Sequence, residues 1–278
     1  MEKMYKAYEG IITALSPIFH GGDEKTGSTP VLRTIYIATE EGDIVPVPYI
    51  SGNAIRGRLR RLIIADLLRA LDYEIENTKL HHILFSGGVL ESTMETYAVI
   101  DLEFRRTVRD TLIPISLLGC AMGNQMIPGI LQVEHMWPVC KEYKHYLPEQ
   151  YRDLEQAEKS VRVYTDESFI TRRDDLRAER QEDEQAVQMK VDYECFIPGT
   201  KFFHRFVLRV PTDLELSCFG RMIELWAENP TIGGRSSAGD GKLRLEYNDI
   251  PSSELYLSWV SKHTQDIRGL LEDLEGRL

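Results

Sequence analysis

No run of the sequence reaches the ~18 consecutive apolar residues that a membrane-crossing helix needs. The polar opening Met1–Lys6 has no apolar signal region, so the expectation is a soluble, cytoplasmic protein with no membrane partner. Cysteine is sparse: Cys120, Cys140, Cys195 and Cys218 stand far apart and form no C-x-x-C pair, which points to buried thiols in a reducing compartment. Apart from the neighbours His81 and His82, the histidines are scattered, and none stands at zinc-like spacing with a cysteine; no metal and no cofactor are expected. Internal repeats and low-complexity tracts are missing. Positive charge is also short, with 33 basic against 44 acidic residues and a net charge of −11. That balance argues against a general affinity for nucleic acid.

What positive charge there is lies concentrated. Residues 51–70 hold Arg56, Arg58, Arg60, Arg61 and Arg69 against Asp66 alone, a local balance of +4. The same stretch reads as a helix over 51–71, with Ile55, Leu59, Leu62, Ile63 and Leu67 as its buried stripe and the arginines on the remaining surface. Arginines near a helix N-terminus oppose the macrodipole, an arrangement that makes sense where an anion sits between them. A second notable segment is the loop 231–242, with four glycines, two serines, an arginine and a lysine. Glycine accepts φ > 0 and lets the backbone come close to a ligand. The loop lacks the G-x-x-x-x-G-K-[ST] order and follows a helix rather than a strand, which disfavours a nucleotide-binding enzyme of the P-loop kind.

Around these segments the periodicities predict an α+β chain. A strand over 5–16 has Tyr8, Gly10, Ile12 and Ala14 on one face. Residues 34–39 and 44–48 form a hairpin, its second arm confined to an edge by Pro46 and Pro48. Residues 75–140 read as irregular insertions, and 141–190, charged and poor in aliphatics, as an extended arm or hairpin outside the core. A strong strand run covers 193–210. Thr212 and Glu215 have capping-box spacing and start a helix that Asn229-Pro230 ends, with Phe219, Ile223 and Trp226 on one face. A strand over 242–247 and one amphipathic helix over 252–278 close the chain. The order suggests a β-α-β-β-α-β, ferredoxin-like core.

Four segments occur in order: Pro17-Ile-Phe-His-Gly-Gly22, Pro48-Tyr-Ile-Ser-Gly-Asn-Ala-Ile-Arg-Gly-Arg-Leu-Arg60, Glu194-Cys-Phe-Ile-Pro-Gly-Thr-Lys-Phe202 and 232–243. Together they resemble the RAMP superfamily of CRISPR-associated proteins, and within it the "Cas-seven-type" backbone subunits; the stretch 165–176 leans toward the type IV backbone protein. The resemblance implies an RRM-like palm spanning the chain, with a fingers-like insertion at about 75–140 and a thumb-like hairpin at 164–190. It implies a subunit that polymerises as a helical filament along a CRISPR (guide) RNA, beside other effector subunits, with target nucleic acid paired to the guide. RNA would then meet His20 in the first segment and Ser51, Asn53, Arg56, Arg58, Arg60 and Arg61 in the second. Arg172 and Arg173 would meet it in the thumb, and Gly233, Gly234, Arg235, Ser236, Ser237, Gly239, Gly241 and Lys242 in the loop.

One departure bears on catalysis. Type III relatives carry a catalytic aspartate before a Ser-Pro in the loop after the first segment, whereas Ser28 aligns there in this sequence. Serine supplies neither a metal-ligating carboxylate nor a carboxylate base. A non-catalytic scaffold is therefore expected, without target cleavage. The alternative is a metal-dependent target-RNA endonuclease as in type III complexes, using a neighbouring acid such as Asp23 or Glu24.

Overall fold

The computed structural model describes residues 4–26, 29–88, 101–123, 125–173 and 188–277. Along the chain run β1 (Tyr5–Ala14), β2 (Gly21–Thr26), β3 (Thr29–Leu32), β4 (Thr34–Ala38), β5 (Ile44–Pro48) and α1 (Gly52–Leu71). Next come α2 (Thr78–Ser86), α3 (Leu102–Thr111), α4 (Ile113–Leu118), β6 (Cys120–Met122), β7 (Gln125–Ile127), β8 (Leu131–Val133), β9 (Trp137–Pro138) and α5 (Glu149–Arg152). The last third holds β10 (Thr165–Arg173), β11 (Gln188–Phe196), β12 (Lys201–Arg209), α6 (Asp213–Glu228), β13 (Leu243–Tyr247), α7 (Glu254–Lys262) and α8 (Thr264–Arg277).

Four strands lie in the order β13-β1-β12-β8, all antiparallel, with β9 also on β12. Counting β1, β8, β12 and β13 as strands one to four, with α1 after the first and α6 after the third, gives the ferredoxin-like arrangement 4-1-3-2. The register sets the core: Tyr8, Gly10 and Ile12 of β1 face Phe206, His204 and Phe202 of β12. Ile12, Phe202 and Phe206, with the partly buried Tyr8, share one core with the buried Ile55, Leu59 and Ile63 of α1 and Phe219, Ile223 and Trp226 of α6. Arg221 of α6 and Asp66 of α1 pair bidentately at 2.8 and 2.9 Å. The capping box is formed: Thr212 Oγ1 accepts the Glu215 amide at 3.2 Å, and Glu215 Oε2 accepts the Thr212 amide at 2.8 Å.

Several expectations need correction. The described residues of 75–140 are not irregular: they include α2, α3 and α4, the paired strands β6 and β7, and two strands of the main sheet. Residues 141–164 are not an arm either. They make short 3-10 turns and α5, and they cover the other face of the sheet, where Leu147 and Ala157 pack on Val139 and Phe203. Few apolar residues suffice because Leu147, Ala157, Val161 and Tyr164 are buried. The run 193–210 is two strands, because Pro198 has no N–H and Gly199 turns at φ +89°. The terminal helix breaks at His263 (φ −110°, ψ 20°), where Thr264 Oγ1 bonds back to the Val260 carbonyl at 3.0 Å. Within the stretch expected to be thumb-like, β10 pairs antiparallel with β11 over nine positions, from Thr165↔Phe196 to Arg173↔Gln188. Its tip, 174–187, lies outside the described residues.

Candidate nucleic-acid interface

Helix α1 begins with donors that already have partners. Ser51 caps it, its Oγ accepting the Ala54 amide at 3.3 Å. The Ser51 amide donates to His20 Nε2 at 3.1 Å, and the Gly52 amide to His135 Nδ1 at 3.0 Å. Both rings are therefore neutral acceptors. Burial, with help from Arg33 and His135, holds the His20 pKa down at about 4, and burial lowers that of His135 as well. The free N-terminal amides that the macrodipole argument offered to an anion are thus largely occupied by imidazole. Asn53 alone in this turn is exposed.

The four arginines of α1 divide by helical position. Arg56 and Arg60, one turn apart, point inward. Arg56 reaches the Leu118 carbonyl at 2.7 Å and also bonds the Leu131 carbonyl. Arg60, 5% exposed, donates to the Leu118 and Gly119 carbonyls at 3.0 and 2.8 Å. They satisfy carbonyls left over at the C-terminal end of α4, and burial lowers the Arg60 pKa to about 10. The expectation that all four lie on the free surface is wrong for Arg60 and for the guanidinium of Arg56. Helix α4 occupies that side, and the buried arc of α1 is wider than its aliphatic stripe. Arg58 and Arg61 face outward. Among the described residues Arg58 donates to the Asn229 carbonyl at 3.1 Å, and its Nε has no partner. Arg61 is exposed and leans back over Gly57.

The glycine loop is glycine-rich chiefly because it lies against the chain after β1. Gly234 donates to the Phe19 carbonyl at 2.9 Å and Gly241 to the Pro17 carbonyl at 2.7 Å. A Cβ on Gly233 (φ +82°) would stand 2.4 Å from the Phe19 oxygen, and one on Gly241 (φ +82°) 2.1 Å from the Ile232 oxygen. The close approach at Gly233 and Gly241 is to protein backbone, which corrects the reading of these two as room for a ligand. Gly239 is open, with nothing within 4 Å of a Cβ. Ser236, Ser237 and Lys242 are exposed. Arg235 is left-handed (φ 64°), and its guanidinium carbon lies 3.7 Å from the Tyr193 ring centre and 4.9 Å from that of Phe19.

These distant segments converge on one cleft of about 520 Å³. Its walls are Phe19, His20, Gly21 and Gly22 from the first segment, Ala54, Arg58 and Arg61 from α1, and 231–234 with Ser236 from the loop. Neither arginine has a carboxylate partner among the described residues, so the cleft offers two cations and exposed hydroxyl and amide groups to an anionic ligand. Of the expected RNA-binding residues, it gathers His20, Arg58, Arg61, Gly233, Gly234 and Ser236. Arg172 and Arg173 end β10 opposite Met189 and Gln188, and their side chains lie outside the described set. Ser28 lies outside the described residues, as do the side chains of Asp23 and Glu24. Sequence reasoning missed Phe19, His135 and Tyr193. Phe19 stood inside a quoted segment, but no spacing marks an isolated histidine or tyrosine as a partner across the fold.

No family model and no curated protein matches the sequence. Among solved structures, the chain is similar to one in a structure described as "Type IV-B CRISPR Complex", with a TM-score of 0.62 and 22% identity over 87% of this chain and 90% of that one. The likeness is one of architecture: this sequence folds as does a chain of a type IV-B CRISPR complex.

Proposed function

We propose that the protein is a guide-RNA-binding backbone subunit of a type IV CRISPR effector complex, assembling with further copies of itself and with other subunits along the RNA. The observation that carries this reading is the cleft itself. Three segments far apart in sequence bring two arginines, without carboxylate partners among the described residues, beside exposed backbone and hydroxyl groups, in a fold shared with a chain of a type IV-B CRISPR complex. Such groups hold phosphates and read no sequence; in RNA-guided complexes base pairing does that. An acidic protein with a basic cleft suits an RNA bound along a fixed track.

The subunit is read as a scaffold that does not cut, on the alignment of Ser28 with the acid of type III relatives. Purification from its host tests the binding role: bound small RNAs of uniform length support it, and a preparation free of nucleic acid rejects it. Incubating the RNA-loaded protein with labelled target RNA and Mg²⁺ tests the rest. Cut target would transfer the protein to the endonuclease reading.

A further inference from the structure

Beside the cleft, one arginine is held in a way its neighbours are not. The Arg235 guanidinium lies in a corner between Tyr193 and Phe19, whose rings meet edge to face with centres 5.4 Å apart. Tyr193 is fixed in turn: its hydroxyl donates to Asp240 Oδ2 at 2.7 Å, in a buried bond. The Phe19 ring is seated over glycine, since a Cβ on Gly21 would stand 2.8 Å and one on Gly234 3.3 Å from it. The Arg235 carbonyl accepts the Ala238 and Asp240 amides, but its guanidinium makes no hydrogen bond or ion pair with any described residue. Two rings thus hold the guanidinium between them, while its N–H groups meet no hydrogen-bond partner among the described residues. A lysine or an unstacked arginine lacks that arrangement, and stacking restricts the rotamers that a free arginine loses on binding.

We infer that Phe19, Tyr193 and Asp240 are positioning residues that hold Arg235 as a planar two-pronged donor for a phosphodiester group at the lip of the cleft. This deepens the RNA-binding reading and rests on it. Two parallel N–H bonds from a fixed fork onto two phosphate oxygens are stronger and more directional than the attraction of a point charge. The corner also explains the choice of side chains. Tyr193 supplies a face for stacking and a hydroxyl for Asp240, and phenylalanine would supply only the face.

The test is fluorescence anisotropy of a fluorescein-labelled single-stranded RNA at several salt concentrations, with the wild type, Arg235→Ala, Arg235→Lys and Tyr193→Phe. Arg235→Ala should weaken binding and lower the salt slope by about 0.7, the value for one phosphate contact on a single strand. Arg235→Lys keeps the charge, so the slope should stay while affinity falls about tenfold, as for one charge-assisted hydrogen bond. Tyr193→Phe should weaken binding roughly threefold with the slope unchanged, a loss of orientation without loss of charge. Melting curves of each variant show whether the population tested is folded, and Arg235→Lys changes a partly exposed side chain in a loop. Arg235→Lys binding as tightly as the wild type would overturn the fork. Tyr193→Phe equal to the wild type would overturn the positioning role. A wild type that binds no RNA would instead sink the RNA-binding reading beneath both.

Discussion

His20 Nε2 accepts the Ser51 amide hydrogen at 3.1 Å, so the first residue before α1 is fastened by a ring that works only while neutral. Folding lowers the His20 pKa from 6.5 to about 4, chiefly by burial. A depressed histidine stabilises the fold fully above its unfolded value, and that contribution is lost as pH falls from 6.5 toward about 4. His135 and the core residue His204, both also lowered by burial, act in the same direction. The melting temperature should therefore drop on acidification through this window. His20→Gln, whose amide oxygen can accept the same hydrogen without titrating, should show a shallower drop. Parallel curves for the two proteins would remove His20 from the explanation.

The arginines of α1 should separate by phenotype. Arg60→Ala leaves the Leu118 and Gly119 carbonyls without this donor and should cost about 2–3 kcal/mol of stability, read by denaturant unfolding. Arg58→Ala with Arg61→Ala should leave unfolding within about 1 kcal/mol of the wild type and lower the salt slope of RNA binding by roughly one to two units. The reverse pattern would exchange the structural and ligand-facing pairs.

Gly241 and Gly239 should also differ, although both have positive φ. Alanine at Gly239 meets no neighbour and should cost only the left-handed strain, about 1–2 kcal/mol. Alanine at Gly241 adds a clash with the Ile232 carbonyl and should cost more than about 3 kcal/mol, with RNA affinity per folded molecule preserved. Circular-dichroism melts alongside binding titrations measure both quantities. Equal stability losses would show that the Ile232 contact relaxes freely.

The base of the β10–β11 hairpin is paired along both strands, so shortening its tip should not unfold the monomer. Deleting 174–185 is expected to leave the melting temperature within a few degrees while shortening or abolishing RNA-bound filaments seen by electron microscopy. Filaments of normal length would dissociate this hairpin from assembly.

Elements with a strong local code were legible in the sequence. Strand β1, the β4–β5 hairpin, helix α1 and the Thr212–Glu215 box follow from alternation, a 3.6-residue stripe and capping chemistry, each set within a few residues. The described elements of 75–164 were not, because they are short; those of 75–140 are selected by packing against α1 and α6, and the few apolar side chains of 141–164 by the sheet they cover. The site was legible as a set of segments but not in its internal roles. Nothing in the spacing of Arg56, Arg58, Arg60 and Arg61 tells which pair meets the carbonyl end of α4, a contact made 58–62 residues away in sequence. Likewise a run of glycines looks the same whether it accommodates a ligand or the Phe19 backbone.

Glu194 of β11 accepts the Leu32 amide at 2.8 Å, Phe196 and Ile18 exchange amide bonds at 3.0 Å, and Tyr193 backs the Arg235 guanidinium. The hairpin is thus clamped over 193–196 where it leaves the body, and each nine-residue strand runs five residues beyond that clamp, about 17 Å at 3.3 Å per residue. Mechanically this is a stiff lever with its fulcrum at the lip of the cleft. A sideways push at the far end turns into torque on the very rings that orient Arg235, so load on the hairpin and grip in the cleft are transmitted through the same few atoms.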